Sequence, residues 1–144
     1  MADLELPMAV RAVFDTCPAP ARAGLMALRR MILARAADLP VIGQLKEGLR
    51  WGQPAYLTPD TGAWCSLRIG TVPGAGFGLF VQCQTGLIEA FLDGPGAGLR
   101  RQGNRAVIFA VDEEVPEVVG VLIGWALTYH RRDGGNGDAA QVSG

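Results

Sequence analysis

Two runs of alternating side chains, separated by a proline–glycine break, constrain this chain most. From Trp64 to Val72, Cys65, Leu67 and Ile69 fall on one side and Trp64, Ser66 and Arg68 on the other. From Phe77 to Cys83 the pattern repeats, with Leu79, Val81 and Cys83 opposite Phe80 and Gln82. A period of two marks a strand with one face buried. The intervening Pro73-Gly74-Ala75-Gly76 supplies turn residues, so the two runs predict a hairpin. Paired in this way, they leave one apolar face. The other face carries Arg68, Ser66 and Gln82 beside Trp64 and Phe80.

The flanking segments read as helices, turns and further strands. Val10, Val13 and Phe14 predict a short helix within residues 1–16, and Pro18 and Pro20 favour a fresh helix start. Ala21 to Leu39 is helical in pattern. Leu25, Leu28, Ile32 and Leu39 mark one face, Arg22, Arg29 and Arg30 lie largely off it, and Pro40 ends it. One or two helical turns are expected from Ile42 to Leu49, followed by a loop forced by Gly52 and Pro54. Pro59 to Gly62 reads as a turn between short strands. Thr85 is a candidate N-cap for a short helix from Gly86 to Leu92. Gly94 to Gly98 is a loop. Arg105 to Val111 reads as a strand, apolar throughout Ala106–Ala110, which suits a central position. A last helix from about Pro116 to Arg131 is apolar nearly all round and so should be well buried. The polar, glycine-rich Asp133–Gly144 reads as a flexible tail. No βαβ repeat is visible, and the order predicts a single α+β domain over residues 1–132 with an antiparallel sheet.

Composition narrows the function classes. A chain of 144 residues, 49% of them apolar, supports one domain with a sizeable core and excludes a disordered chain. The formal net charge is −1, from 13 basic and 14 acidic residues. No basic excess points to nucleic acid, and no polybasic run points to an anionic membrane. The acidic N-terminus has no apolar signal core. The longest apolar-rich run, Val115 to Tyr129, contains Pro116 and Glu117 and falls short of the ~20 residues a span needs. Cys17, Cys65 and Cys83 show no close pair spacing, which suits reduced thiols in a cytoplasmic protein.

The segment from Glu47 to Tyr56 holds the densest mixture of charge, aromatic and amide groups. Trp51, Gln53 and Tyr56, with Trp64, Arg68, Gln84, Asn104 and Arg105, could line an apolar pocket with a few fixed polar groups. Arg105 could pair with Glu47 or Glu89, or hold an anion bidentately. The alternative is a buried polar network that only fixes the fold. Asp112, Glu113, Glu114 and Glu117 could bind a hard cation such as iron through carboxylate oxygens. Alternatively they favour the dipole of the last helix. His130, the one histidine, reads as a helix-end residue rather than a general base. Cys65 and Cys83 read as buried, inert thiols. No nucleophile–base pair is evident, so a non-enzymatic role is expected.

Four segments in order carry a family resemblance. Leu49-Arg50-Trp51-Gly52-Gln53-Pro54-Ala55-Tyr56, Cys83-Gln84-Thr85, Gly103-Asn104-Arg105-Ala106 and Ala126-Leu127-Thr128-Tyr129-His130 resemble the YdhG-like domains of unknown function, from about residue 8 to residue 131. The resemblance implies an α+β sandwich comparable with frataxin, its helices packed mainly on one face of the sheet. One branch of that family is described as frataxin-like iron chaperones, and the family offers no catalytic residue to carry over. Arg50 stands where Lys is usual, Gln82 where His is common and Gln102 where Glu is common, the last two removing potential metal ligands. The expectation is a cytoplasmic module that binds a small molecule or a protein segment. The alternative is an intracellular iron chaperone using Asp112, Glu113, Glu114 and Glu117. Trp64 and Phe80 on the polar sheet face would suit a homodimer patch.

Overall fold

Proline sets the starts of the first two helices. In the computed structural model, which describes residues 6–60, 67–81 and 85–134 (side chains through Tyr129), Pro7 precedes α1 (Met8–Thr16) and Pro18 precedes α2 (Ala19–Ala37). Cys17 between them is extended at φ −80°, ψ 145°, the conformation a following proline imposes. Arg22 of α2 closes the corner. Its Nε donates to the Phe14 carbonyl at 2.9 Å and its Nη2 to that of Cys17 at 2.8 Å, satisfying acceptors at the end of α1. Val10 and Phe14 bury one face of α1, and Leu25, Leu28 and Ile32 bury one face of α2.

A 3₁₀ turn at Pro40–Ile42 leads into β1 (Lys46–Arg50), followed by β2 (Gln53–Leu57), β3 (Leu67–Val72) and β4 (Gly76–Phe80). Then come α3 (Leu87–Leu92), β5 (Arg100–Gln102), β6 (Ala106–Phe109) and α4 (Val119–Gly134). The strands form one antiparallel sheet in the order β1-β2-β3-β4-β6-β5. This is an α+β fold with the predicted hairpin at its centre. Arg68 pairs with Phe80 and Ile69 with Leu79, so the two faces divide as the alternation requires. Tyr56, Leu67, Ile69, Phe77, Leu79, Val107 and Phe109 share the main core with residues of all four helices. The opposite face carries a separate small cluster of Val72, Phe80 and Ala106. Thr85 Oγ1 accepts from the Leu87 amide at 3.2 Å, as its position before α3 suggests. In α4 no residue from Val119 to Tyr129 is exposed. Among the described residues no helix is long and apolar enough to cross a membrane.

Several expectations are corrected. Residues 46–50 form a strand, because Glu47 and Leu49 face the helices while Lys46, Gly48 and Arg50 face away, a period of two. Gly43, at φ 74°, breaks the chain before it. Gly52 and Pro54 belong to a tight hairpin rather than a loop. Arg29 is fully buried: at Leu25 plus four and Ile32 minus three it lies on the apolar stripe. Arg100–Gln102, an exposed edge strand with no apolar alternation, was not expected. The last helix begins at Val119 and has no acidic residue in its first turn, so Asp112 to Glu117 precede it instead of favouring its dipole. Its backbone continues to Gly134, two residues beyond the expected domain end. Trp64, Cys65, Ser66, Gln82, Cys83 and Gln84, and the side chain of His130, lie outside the described residues.

Helix α2 approaches β4 closely at Gly24, where a Cβ would collide with the Phe77 ring. Phe77 is fully buried and tilts against Phe109 at 5.3 Å. Replacing Gly24 with alanine should therefore destabilise the fold by about 1–3 kcal/mol through overpacking, despite the better helix propensity of alanine. Urea denaturation of the variant provides the measurement. An unchanged or raised midpoint would show that α2 shifts freely over the sheet.

Candidate functional site

The most unusual backbone in the described chain is at Trp51. Arg50 pairs with Gln53, so Trp51 and Gly52 form a two-residue hairpin loop with φ of 50° and 75°. Positive φ at both central positions is the type I′ pattern, which favours Asn-Gly. Tryptophan in the left-handed region costs about 1–2 kcal/mol. The residue is nonetheless 75% exposed and gains little from burial. The strain is therefore not offset by burial of the side chain.

Arg68 organises the surroundings of that ring. It lies on the sheet face away from the helices, its Cζ 4.9 Å from the Trp51 ring centroid and 5.6 Å from that of Phe80. Its Nη1 donates to Gln53 Oε1 at 2.9 Å. Arginine only donates, so this bond fixes the Gln53 amide with its oxygen toward Arg68 and its NH₂ turned away. The NH₂ lies over Gly70, where a Cβ would sit 2.5 Å from Gln53 Nε2. Gly70 is therefore the floor on which the amide rests.

Pro54 opens the sheet at the same place. With Arg50↔Gln53 closing the hairpin, the Pro54 nitrogen faces β3 and has no hydrogen to offer. Among the described residues β2 pairs with β3 at Ala55↔Arg68 and Tyr56↔Leu67, and the ladder does not continue to Pro54. A cavity of about 210 Å³ lies at this parted seam. Gly52, Gln53, Pro54, Gly70 and Thr71 line one side, and Val13, Phe14, Thr16 and Cys17 of the α1–α2 corner line the other. Cys17 is half-buried, and burial pushes its thiol up from the usual value, partly offset by Arg22. Its Sγ lies 3.4 Å from the Val13 carbonyl, as a protonated donor would.

The hairpin is held from beneath by a buried ion pair. Arg29 of α2 donates to Glu47 through Nε at 2.7 Å and Nη2 at 3.0 Å, and Tyr56 donates its hydroxyl to the same carboxylate at 2.7 Å. The side chains are 1% and 10% exposed for Arg29 and Glu47. Burial, and then the bond to Glu47, raise the Tyr56 hydroxyl far above its ordinary titration range.

Of the expected site residues, the structure gathers Trp51, Gln53 and Arg68. Tyr56 is fully buried on the opposite face and serves the ion pair. Glu47 is engaged by Arg29, so Arg105 does not take it. Asn104 and Arg105 are exposed in the β5–β6 turn. That turn is three strands from β2, or about 14 Å at the usual strand spacing. Gln84 lies outside the described residues. The carboxylates do not assemble: no group of three or more His, Cys, Asp or Glu placed to hold a metal occurs among the described residues. Glu113 Oε1 instead accepts from Arg100 at 3.0 Å and from the Ala110 amide at 2.8 Å. Gly70, Cys17 and the Arg29–Glu47 pair were missed as parts of the site. Only Arg29 left a signal, its spacing on the apolar stripe of α2. Comparison with protein families, with curated proteins and with solved structures finds no match.

The raised Tyr56 hydroxyl gives a sign for pH dependence. The folded state keeps its proton where the unfolded chain loses it, above about pH 10. This contribution is complete below that value and falls by up to about 1.4 kcal/mol per pH unit above it. Tyr56→Phe should therefore destabilise the protein at about pH 9 by about 1 kcal/mol, and the gap to wild type should narrow toward about pH 11. Urea titrations at the two pH values decide it, and a constant gap would place Tyr56 in contact with water.

Proposed function

We propose that this chain is a non-enzymatic binding module of YdhG-like type whose ligand is a small molecule bearing a carboxylate or carbonyl oxygen. The carrying observation is the relay from Arg68 to Gln53. A guanidinium bonded to the amide oxygen polarises the amide and makes its NH₂ a stronger donor. Gln53, with Gly70 beneath its amide, is among the residues lining the 210 Å³ cavity, room for roughly seven waters at about 30 Å³ each. The size and the donor together suit a short-chain carboxylate or amide. Trp51 would close over the bound ligand, which gives its strained conformation a use. The resemblance of Leu49–Tyr56 to the corresponding segment of YdhG-like domains supports reading this hairpin as the working part.

Gly70→Ala separates binding from folding. The new methyl meets only the far end of the Gln53 side chain, which can swing aside. The Arg68–Gln53 bond is lost with that movement, partly offset by the gain over strand glycine, so stability should fall by no more than about 1–2 kcal/mol. Binding should be lost, because the amide leaves the cavity wall. Ligand-observed NMR with acetate, propionate, butyrate and acetamide should show at least one binding to wild type. That ligand should weaken by about tenfold or more in Gly70→Ala and in Gln53→Leu. No binding by any of the four, or binding untouched by Gly70→Ala, would overturn the reading.

The Trp51 turn gives a second test. Trp51→Asn creates the preferred turn pair while removing the contact with Arg68. Relief of about 1–2 kcal/mol against a loss of about 0.5–1 kcal/mol predicts equal or higher stability. Affinity for the same ligand should fall. A drop in thermal stability of several degrees would instead assign Trp51 to the fold.

A further inference from the structure

The edge of the sheet at β1 carries a feature that the ligand cavity does not use. Among the described residues β1 pairs only with β2 and ends the sheet. The hydrogen-bonded pair Arg50↔Gln53 sets the phase of the ladder. Lys46, Gly48 and Arg50 therefore direct their main-chain groups to β2, and Glu47 and Leu49 direct theirs outward. An edge of this kind is a template for an added strand.

Three observations say what would cover it. Of the five large hydrophobic residues exposed among the described residues, Leu49 lies within β1 and Met8 lies on α1, which packs against β1. Lys46 and Arg50 stand exposed on the outer face, two residues either side of Gly48. A Cβ on Gly48 would meet nothing within 4 Å, so the space between the two cations is open. Charged residues at an edge commonly block pairing, but blocking does not account for the exposed Leu49 between them.

The charges also choose between occupants. A second copy pairing about Gly48 would set Lys46 opposite Arg50 at both ends, like charge against like charge on one face. A partner strand with acidic residues at those positions would meet opposite charge instead. Its alternate residues would fall on the helix side, against Leu49, and should be apolar. We infer that β1 accepts, by strand addition, an extended segment of a partner protein in which acidic and apolar residues alternate.

The experiment uses ¹⁵N-labelled full-length protein and a heptapeptide of alternating glutamate and valine. The peptide should shift and protect the Glu47 and Leu49 amides, whose groups face outward, more than those of Lys46, Gly48 and Arg50. The double variant Lys46→Glu/Arg50→Glu changes only exposed side chains and should melt as wild type does. It should lose at least about tenfold in affinity for this peptide and prefer the corresponding lysine–valine peptide. N-methylation of alternate peptide nitrogens on the pairing edge should abolish binding. The proposal is overturned if glutamate and lysine peptides bind wild type equally or if the N-methylated peptide binds as well. It is overturned too if β1 amides shift with protein concentration alone, which would assign the edge to a second copy. Gly70→Ala should leave peptide binding intact, so failure here is distinguishable from failure of the cavity reading.

Discussion

The buried pairing of Arg29 with Glu47 is the interaction on which the placement of the β1–β2 hairpin depends. Among the described residues the β1–β2 hairpin joins the rest of the sheet through Ala55↔Arg68 and Tyr56↔Leu67, and the pairing does not reach Gln53 or Pro54. The turn end of the hairpin is therefore unpaired with β3, and it also carries a strained turn. The bidentate bond from α2, with the Tyr56 hydroxyl on the same carboxylate, fastens the hairpin to the helical layer. Its net contribution against an apolar replacement is small, since both charges are desolvated. Its effect is positional, because the carboxylate has one place where both donors can reach it. Removing Glu47 alone would leave a guanidinium buried without its charge partner, a loss of about 3–5 kcal/mol.

The parted seam follows from that fastening. Pro54 withholds a ladder hydrogen bond from β3, and a hairpin held only by pairing would then slip or fray. Anchored from below, it stays in register while the seam opens. Gly70 contributes the other half by presenting no side chain where Gln53 settles. The cavity is thus a product of two omissions, a missing N–H and a missing Cβ, and neither registers as a conventional site motif.

How much of this could be read from the sequence divides along the same line. Periodicity reports which face is buried, and it located the β3–β4 hairpin, the apolar β6 and the buried α4. It failed over residues 42–49, where Gly48 and the charged neighbours obscure a period of two. There Glu47 points inward for an ion pair rather than for hydrophobic burial. It also sent Arg29 off the apolar face, because charge was read before spacing. In the site, Trp51, Gln53 and Arg68 were legible as a group since aromatic, amide and guanidinium groups are conspicuous. Tyr56 was misplaced by one residue of alternation, which turns a side chain to the other face. Asn104 and Arg105 were drawn in because a guanidinium can hold an anion or pair with Glu47, although the strand order sets their turn three strands away.

The two faces of the hairpin set different demands on the same five residues of β1. The inner side needs Glu47 for Arg29, which fixes the phase of the strand. With the phase fixed, Lys46 and Arg50 must lie outward and Leu49 must lie inward, at the rim of the helical layer. The exposed cations and the exposed leucine are therefore not independent features. Moving either to the other face would break the ion pair. A sequence could still satisfy the inner demand with neutral polar residues at positions 46 and 50, because no described contact beneath the sheet constrains them. The choice of two cations there, beside an exposed tryptophan, calls for an explanation from outside the fold, and charge complementarity to an incoming strand supplies one.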